Sequence, residues 1–343
     1  MMRNMKLSYQ RGQVELKKLT VKDVAKEAGV STATISRVLN NTGYVSEHAR
    51  EQVLRTIKML NYQPNSIARS LKQKKSSSIG IVLPDMTNPY FMSISRQIQR
   101  KCMSEGYHLL YMDTEEDPEK ERQALDFLLE KRVEALIIAG TGQNKDKIES
   151  AGQLGVHVIL IDRKIENLRL DVIAEDNRSV SEEAVSYLLN KGHRHIGIIN
   201  GPMAVITAKE RYEGAEAAFA KFGARPDARY VYEGDFTRQS GAEGVKHLMR
   251  LPAPPTAIFS ANNEMSYGLY LGLHELGIRT NEIEVVSFGD LEFSPLFSQK
   301  LSVIMQNPQE IGDAAADLVL KRLELGGKGF ENRLFYPRMI QKH

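Results

Sequence analysis

Residues 20–39 have the sequence TVKDVAKEAGVSTATISRVL, and this stretch predicts the fold of the N-terminal region. Thr20 is placed to cap a helix over residues 21–28, whose apolar positions follow helical spacing, and Gly29 supplies its stop. Ser31 is a second capping residue, so a second helix begins directly after it. Two short helices joined by a short connection that contains glycine are typical of a helix-turn-helix, whose second helix enters the major groove of DNA.

The second helix is expected to turn one face to DNA and the other to the protein core. Its spacing directs Thr32, Ala33 and Arg37 outward, while Ile35 and Val38 turn inward. The planar arginine fork suits the two acceptors of guanine, and a threonine or alanine can contact the methyl group of thymine. For Arg37, a phosphate contact or a solvated surface charge is the alternative interpretation.

A third helix is predicted to close a small core. Ser46 is placed to cap it, and Pro64 is expected to end it, because proline cannot continue a helix. Its apolar positions recur at helical intervals, at Val53, Leu54, Ile57 and Leu60.

Residues 65–71, NSIARSL, predict a short hinge helix that needs a partner. Asn65 can cap it, and Ile67 and Leu71 lie on one face, but a helix of under two turns is not stable alone in water. Ala68 permits the close approach of a second copy, and a leucine at the end of a basic segment can insert between base pairs in the minor groove. The alternative is an ordinary linker helix with Leu71 packed on the body.

Charge divides the chain near residue 75. Residues 1–75 hold 15 Lys and Arg against 5 Asp and Glu, a net of +10, whereas the remainder carries a net of −7. Such asymmetry indicates a polyanionic partner for the N-terminal end alone. A solvated basic tail is the alternative, and the ordered apolar spacing of the basic segment argues against it.

Composition restricts the class of protein. A chain of 343 residues exceeds the usual single core, so two or three domains are expected. Cys102 is the single cysteine, which excludes a disulfide framework within one chain and favours a reducing cytoplasm. No run of residues approaches the length of a membrane span, and the first residues lack the apolar stretch of a secretory signal. We therefore expect a cytoplasmic protein with no membrane partner.

From Ile79 onward, apolar runs of strand length alternate with helical patterns. The eight runs are SIGIVLPD, HLLYMDT, ALIIAG, HVILID, HIGIIN, YVYEGD, AIFSA and EVVSFGD. This alternation predicts parallel sheets covered by helices on both faces. Eight strands are too many for one modest sheet, so we expect two α/β subdomains with a crevice between them, where ligands gather at the carboxyl ends of the strands.

The sequence of residues 20–71, followed by SIGIVLPDMTNPYF at residues 78–91, resembles the LacI/GalR family of bacterial repressors. The resemblance runs from about Leu19 to the C-terminus. It implies a homodimer on double-stranded, pseudo-palindromic operator DNA, with hinge helices that fold as a pair and Leu71 as the inserting leucine. It also implies a body like the periplasmic sugar-binding proteins, in which the chain passes between the lobes near residues 176, 307 and 338.

The expected fold is an all-α helix-turn-helix headpiece with a hinge helix, joined to an α/β body of two doubly wound parallel-sheet subdomains. Its predicted parts are an extension (1–18), the helix-turn-helix domain (19–64), the hinge helix and linker (65–77) and an effector-binding and dimerisation domain (78–343). Within that domain the N-subdomain takes about 78–175 and 308–337, and the C-subdomain about 176–307 and 338–343. The candidate DNA contacts are Thr20, Ser31, Thr32, Ala33, Thr34, Ser36, Arg37, Asn40, Tyr44, Tyr62, Asn65, Ala68 and Leu71. Among them, the short hydroxyls of Ser31 and Ser36 favour capping or phosphate contact over base contact.

Polar and aromatic residues at strand ends supply the candidate effector site. Tyr90 and Phe91 could stack on a sugar ring or pack the start of the next helix. Arg211 and Asn262 match the RxxG and ND-x-M-A motifs of the family, and the resemblance makes Arg211 the firmest effector contact. The full set is Tyr90, Phe91, Asp162, Thr207, Arg211, Asn262 and Asp290.

Gly289 departs from the family pattern, because many members carry two consecutive acidic residues here and the first often bonds sugar hydroxyls. Loss of this carboxylate would relieve repulsion against an anionic ligand, since Arg211 is kept. Arg163 and Lys209 are two further cations that could lie near Arg211. The expected effector class is a sugar, a sugar acid or a sugar phosphate, and within it Gly289 favours the sugar acid or the sugar phosphate.

Other functions fit the residues less well. The chain has no GxGxxG between strand and helix, no P-loop, no nucleophile elbow and no HExxH, so an enzyme is the weaker alternative. His193 and His195 are spaced poorly for a metal, and neither a metal nor another cofactor is expected. An exported binding protein is disfavoured by the missing signal and the basic headpiece. A repressor whose corepressor is a phosphoprotein remains an alternative within the family.

Overall fold

The structure is a computed structural model that describes residues 19–40, 42–62, 76–292, 301–326 and 329–342. The chain forms two compact units that divide at residue 75, here called the headpiece and the body, and each is described by itself. The predicted extension over residues 1–18 lies outside the described residues, as does the predicted hinge helix with Asn65, Ala68 and Leu71.

Three helices form the described part of the headpiece, with bounds Val21–Glu27, Thr32–Asn40 and Glu47–Met59. The first begins with a capping box, in which the Thr20 hydroxyl accepts the N–H of Asp23 at 3.4 Å and the Asp23 carboxylate accepts the N–H of Thr20 at 2.9 Å. Gly29 follows this helix with φ +59, a left-handed conformation that favours glycine. The caps predicted for the first helix are therefore confirmed.

The third helix ends earlier than the sequence indicated. Pro64 was expected to end it, but the helix stops at Met59, and Asn61 then adopts a left-handed φ of +45. Asparagine tolerates this conformation, so the chain turns before it reaches the proline. Leu54 was expected in the core and is 51% exposed, because the buried face is set by Val53 and the positions four and seven residues after it.

Replacing Thr20 by alanine should raise amide exchange across residues 21–27 about fivefold, because loss of an N-cap costs ~1 kcal/mol. Hydrogen exchange measured by mass spectrometry checks this value, and Thr20→Ser, which keeps the hydroxyl, is the control. Equal exchange rates in the alanine variant and the wild type would show that the capping box does not stabilise this helix.

The body contains twelve strands within the described residues. Their bounds are Ser78–Leu83 (β1), His108–Asp113 (β2), Ala135–Ile138 (β3), His157–Asp162 (β4), Asp171–Glu175 (β5), Ile196–Asn200 (β6), Val231–Glu233 (β7), Ala257–Ser260 (β8), Glu284–Phe288 (β9), Leu301–Met305 (β10), Asn332–Phe335 (β11) and Arg338–Lys342 (β12). One sheet has the order β11-β5-β4-β3-β1-β2 and defines the N-lobe; the other has the order β12-β10-β9-β8-β6-β7 and defines the C-lobe. All pairs are parallel except that of β12 with β10.

Helices cover both faces of each sheet, as the alternating pattern predicted. In the N-lobe, Pro89–Ser104 and Pro308–Leu325 pack on one face, and Pro118–Glu130 and Lys145–Gln153 on the other. In the C-lobe, Asn177–Asn190 and Ile206–Lys221 share one face, and Arg238–Met249 and Asn263–Glu275 the other. The prediction of an α/β body with two parallel-sheet subdomains is confirmed. Among the described residues, no helix has the length and apolar character needed to cross a membrane.

Four strands, β5, β10, β11 and β12, were not among the eight predicted. Three of them have sequences that mix charged and apolar residues, such as NRLF and RMIQK, so their patterns do not stand out from those of loops. They form strands because each finds a partner brought from far along the chain: β11 pairs with β5, and β12 pairs with β10. Such pairing depends on the tertiary structure rather than on local propensity.

The chain passes between the lobes three times, at residue 176 (first crossover), residues 306–307 (second crossover) and residues 336–337 (third crossover). These positions lie close to the three implied by the family resemblance. Because every parallel strand ends toward the same edge of its sheet, polar residues that follow strands in both lobes are brought to one cleft.

Candidate functional site

The second helix of the headpiece has the two faces predicted for it. Ile35 is fully buried and Val38 nearly so, whereas Thr32, Ala33 and Arg37 are exposed. The three outward residues lie at the start and middle of one helix, the part that enters the groove in helix-turn-helix proteins. The headpiece therefore presents the predicted reading surface to solvent.

The other headpiece candidates divide into groups by their contacts. Thr20 is engaged in the capping box, and the hydroxyls of Ser31 and Thr34 lie 2.9 Å apart in a hydrogen bond at the start of the second helix. Tyr44 is 90% exposed, while Tyr62 is partly buried against the headpiece core. Ser36 is half-buried, and the Asn40 side chain lies outside the described residues.

The body contains a cleft of about 720 Å³ that both lobes line. The structure brings six of the seven candidate effector residues together there: Tyr90, Phe91, Asp162, Thr207, Arg211 and Asn262. They come from the ends of strands and the first two turns of helices in both lobes, as the strand-end argument required.

Asp290 does not line the cleft, in contrast to the prediction. Gly289 follows β9 with φ +92 and turns the chain, and Asp290 is exposed with its carboxylate accepting the N–H of Leu291. A Cβ at residue 289 would lie 3.0 Å from Cβ of Asn263 and 3.1 Å from Oε1 of Gln306, so a side chain here would require these neighbours to shift by a few tenths of an ångström in addition to adopting a φ that favours glycine.

At the floor of the cleft, the Tyr90 hydroxyl links two carboxyl groups, that of Asp162, which lines the cleft, and that of the buried Glu175. The Tyr90 hydroxyl lies 3.0 Å from Oδ1 of Asp162 and 3.2 Å from Oε2 of Glu175. Asp162 ends β4 with a left-handed φ of +63, which turns its side chain away from the regular alternation of the strand. Burial raises the pKa of Asp162, although Arg163 and Arg211 oppose this shift, and burial raises the pKa of Glu175 to about 7.

Arg211 is a buried cation of the cleft that three contacts hold in place. Its Nε donates to Oδ1 of Asn177 at 2.9 Å, its Nη1 donates to the carbonyl of Ala261 at 2.8 Å, and its guanidinium stacks 3.7 Å from the ring centroid of Phe288. Burial lowers the pKa of Arg211, opposed by Asp162 and Glu175. These contacts fix a planar donor at the cleft, and neither hydrogen bond uses Nη2.

The other two arginines of the lining are paired with carboxylates. Arg163 forms a two-fold hydrogen bond with Glu116, at 2.6 and 2.5 Å, and its guanidinium lies 5.6 Å from the ring of Phe236. Arg238 donates to Glu264 at 2.6 Å. Among the described residues, the lining holds six carboxylates and three arginines, so acidic groups are in excess there.

Direct contacts join the two lobes across the cleft. The amides of Asn88 in the N-lobe and Asn263 in the C-lobe exchange two hydrogen bonds, at 3.2 and 2.9 Å. Lys164 forms an ion pair with Glu210 across the same division. The lobe orientation in the structure is therefore held by polar contacts beside the candidate site.

Sequence reasoning missed several lining residues, notably Glu116, Phe236, Arg238 and Gln306. Phe236 follows β7 closely, so the strand-end rule that selected Tyr90 could have found it. Gln306 follows β10, a strand that the pattern did not reveal. Within the described residues, no group of three or more potential ligands could hold a metal ion.

Two family models match the chain. One, described as bacterial regulatory proteins of the lacI family, matches residues 20–65, and the other, described as periplasmic binding proteins and sugar binding domain of LacI family, matches residues 76–335. The chain belongs to the LacI family. Like its relatives, it is a DNA-binding transcription repressor and not an enzyme.

Curated relatives and solved structures agree with this assignment. The HTH-type transcriptional repressor PurR of Histophilus somni (strain 129Pt) is 33% identical over 323 residues, which cover 94% of this chain and 97% of that protein. PurR of Haemophilus influenzae (strain PittEE) is 33% identical over 313 residues, which cover 91% of this chain and 93% of that protein. The lac repressor dimer bound to operator and the anti-inducer ONPF is similar in structure, with a TM-score of 0.81, 26% identity and coverage of 94% of this chain and 98% of that one.

Proposed function

We propose that this LacI-family repressor binds a pseudo-palindromic operator as a homodimer and that a small polar ligand in the cleft controls its affinity for DNA. The observation that carries the proposal is the cleft itself, where both lobes contribute fixed hydrogen-bonding groups and Arg211 is held in a planar stack. A ligand that contacts both lobes favours one lobe orientation over others and so shifts the population of the binding-competent state.

Homodimer formation is supported by exposed apolar side chains. On the helix Pro89–Ser104, Met92 and Met103 are 39% and 54% exposed and lie on the same face as Arg96 and Gln99. In the C-lobe, Leu271 is 56% exposed. The solved lac repressor complex, 26% identical to this chain, is a dimer bound to operator, and two-fold symmetric proteins match pseudo-palindromic sites.

A neutral sugar is the ligand that the cleft supports best. Carboxylates accept hydrogen bonds from sugar hydroxyls, Arg211 donates to sugar oxygens, and the Phe236 ring offers a flat apolar wall. The excess of carboxylates disfavours an anionic ligand, which Gly289 had suggested. A sugar acid is the second candidate, because Arg211 is the single arginine in the lining without a hydrogen-bonded carboxylate among the described residues.

The test begins with selection of the preferred DNA site from a random pool by the full-length protein. Fluorescence anisotropy then measures affinity for that site with neutral sugars, uronates, sugar phosphates and purine bases, the last because a planar heterocycle would stack on Phe236. We expect at least one neutral sugar to change the affinity tenfold or more, and a two-fold symmetric selected site. An asymmetric site would contradict the dimer, and a response to phosphorylated sugars or purines alone would contradict the neutral-sugar proposal.

Replacing Arg37 by alanine is expected to weaken binding to the selected site by roughly 10- to 100-fold and to relax base preference at one position per half-site, because an arginine fork on guanine contributes about 1–3 kcal/mol. Arg55→Ala is the matched control, because it removes the same charge from an exposed position on the third helix. If Arg37→Ala weakened binding equally on all sequences, Arg37 would contact phosphate rather than a base.

A further inference from the structure

Glu175 occupies a point where several elements meet. It is the last residue of β5, it is 2% exposed, and the first crossover follows it directly. Its Oε1 accepts the backbone N–H of Asn307 at 3.1 Å, and its Oε2 accepts the side-chain amide of Gln306. One carboxyl group therefore joins the first crossover to the second.

The same carboxyl group reaches the floor of the cleft. Oε2 of Glu175 lies 3.2 Å from the Tyr90 hydroxyl, which also lies 3.0 Å from Asp162. A phenol carries one hydrogen, so it can donate to one of these carboxylates but not to both. If both carboxylates were ionised, one of the two contacts would have no hydrogen, and like charges would share a buried site. A second proton satisfies both contacts.

Glu175 is the better holder of that second proton. Asp162 has two guanidinium groups near it, those of Arg163 and Arg211, which favour its ionised form. For Glu175, burial is the largest effect. The two amide donors of the second crossover and the charge of Arg211 oppose it only in part, so the pKa of Glu175 is raised to about 7. The groups that face it are thus Tyr90, Asp162, Arg211, Gln306 and Asn307.

We propose that Glu175 is a positioning residue of the sensor, which holds the Tyr90 hydroxyl at the cleft floor and the second crossover in one hydrogen-bonded unit. A ligand that displaces or engages Tyr90 then acts on the crossover through this carboxyl group. The sensing role of Glu175 rests on the proposed function of the cleft, whereas the hydrogen bonds of the unit are present in the structure without a ligand.

The unit should respond to pH near neutrality. Below about pH 7 Glu175 keeps its proton, and both contacts of the Tyr90 oxygen are satisfied. Above that pH the proton is lost, the negative charges of Asp162 and Glu175 share one phenolic hydrogen, and the contact between Tyr90 and Glu175 weakens.

Fluorine NMR on the full-length protein with 3-fluorotyrosine at its 13 tyrosines tests the titration. Tyr90→Phe assigns the resonance of Tyr90. In the wild type this resonance should shift between pH 5.5 and 8.5 with a midpoint near 7, and in Glu175→Gln the shift should vanish. Glu183→Gln, an exposed position on the following helix, is the control and should keep the shift. A wild type without the inflection, or an inflection that survives in Glu175→Gln, would overturn the proposal.

Hydrogen exchange tests the coupling to the crossover. Tyr90→Phe removes one hydroxyl in the N-lobe and should accelerate exchange of the Asn307 amide at least threefold at pH 6.5, because Glu175 loses its anchor. In a Glu175→Met background the same change should have no further effect. An Asn307 amide that exchanges at the wild-type rate in Tyr90→Phe would overturn the coupling, whether or not Glu175→Met folds. Neither measurement needs a ligand, so their failure is distinguishable from failure of the ligand titrations described above.

Discussion

Replacing Arg211 by alanine is expected to weaken binding of the cleft ligand by roughly 100-fold, because a hydrogen bond to a charged group contributes about 1.5–3 kcal/mol and each 1.4 kcal/mol is tenfold in affinity. The guanidinium is fixed by Asn177, the carbonyl of Ala261 and the Phe288 ring, so it meets a ligand without further loss of side-chain freedom. Its removal also takes away one of the two guanidinium groups near Asp162 and the positive charge that lowers the pKa of Glu175.

Calorimetric titration with the sugar that gives the largest anisotropy response measures this loss. Arg211→Lys should recover only part of the affinity, because lysine keeps the charge but not the planar fork that stacks on Phe288. Lys209→Ala, two residues earlier on the same helix, is the control, because Lys209 is exposed and does not line the cleft. Wild-type affinity in a folded Arg211→Ala protein would remove this cleft as the ligand site. Circular dichroism establishes that each variant is folded before titration.

Arg322→Met is expected to lower the free energy of unfolding of the body by about 3–5 kcal/mol, the cost of leaving one partner of a buried ion pair uncompensated. The Arg322 guanidinium donates twice to Asp171, at 2.8 Å for both bonds, and the two side chains are each 7% exposed. Asp171 also accepts the N–H of Glu331 at 2.7 Å. The pair therefore joins the last long helix to β5 and to the start of β11, the strand that pairs with β5.

Urea denaturation followed by circular dichroism measures the effect. The double variant Asp171→Asn with Arg322→Met should regain part of the lost stability, because it removes the uncompensated charge. Lys321→Met is the matched control: Lys321 is the neighbouring cation, half-exposed and paired with Glu331, and its loss should cost less than about 1 kcal/mol. If Arg322→Met and Lys321→Met lowered the free energy of unfolding equally, burial of the ion pair between Arg322 and Asp171 would add nothing to stability.

The headpiece could be predicted almost completely from sequence. Its helices are short, their caps are local, and the identity of the outward residues follows from spacing alone, as Thr32, Ala33 and Arg37 illustrate. The error at the end of the third helix is also local, since Asn61 turned the chain before Pro64 could. Local sequence determines these features because each depends on contacts within a few residues.

The cleft could be predicted in part. A rule that selects polar residues after strands placed Tyr90, Asp162 and Arg211 correctly, because parallel strands deliver their carboxyl ends to one edge. It failed for Asp290, where Gly289 reverses the chain, and it missed Gln306, since β10 was not recognised as a strand. The rule depends on knowing which runs are strands and how each strand ends.

By itself, the sequence determined the basic reading head, the alternation of strands and helices, and the family. Only the tertiary structure showed that Glu175 touches both Tyr90 and the second crossover, residues 85 and 132 positions away from it along the chain. It also showed that two of the three arginines in the described lining of the cleft are paired with carboxylates, which supports the proposed neutral sugar over the anionic ligands that Gly289 suggested. Spacing encodes contacts between near neighbours, whereas the charge balance and proton content of a buried site depend on groups that meet only when both lobes have folded.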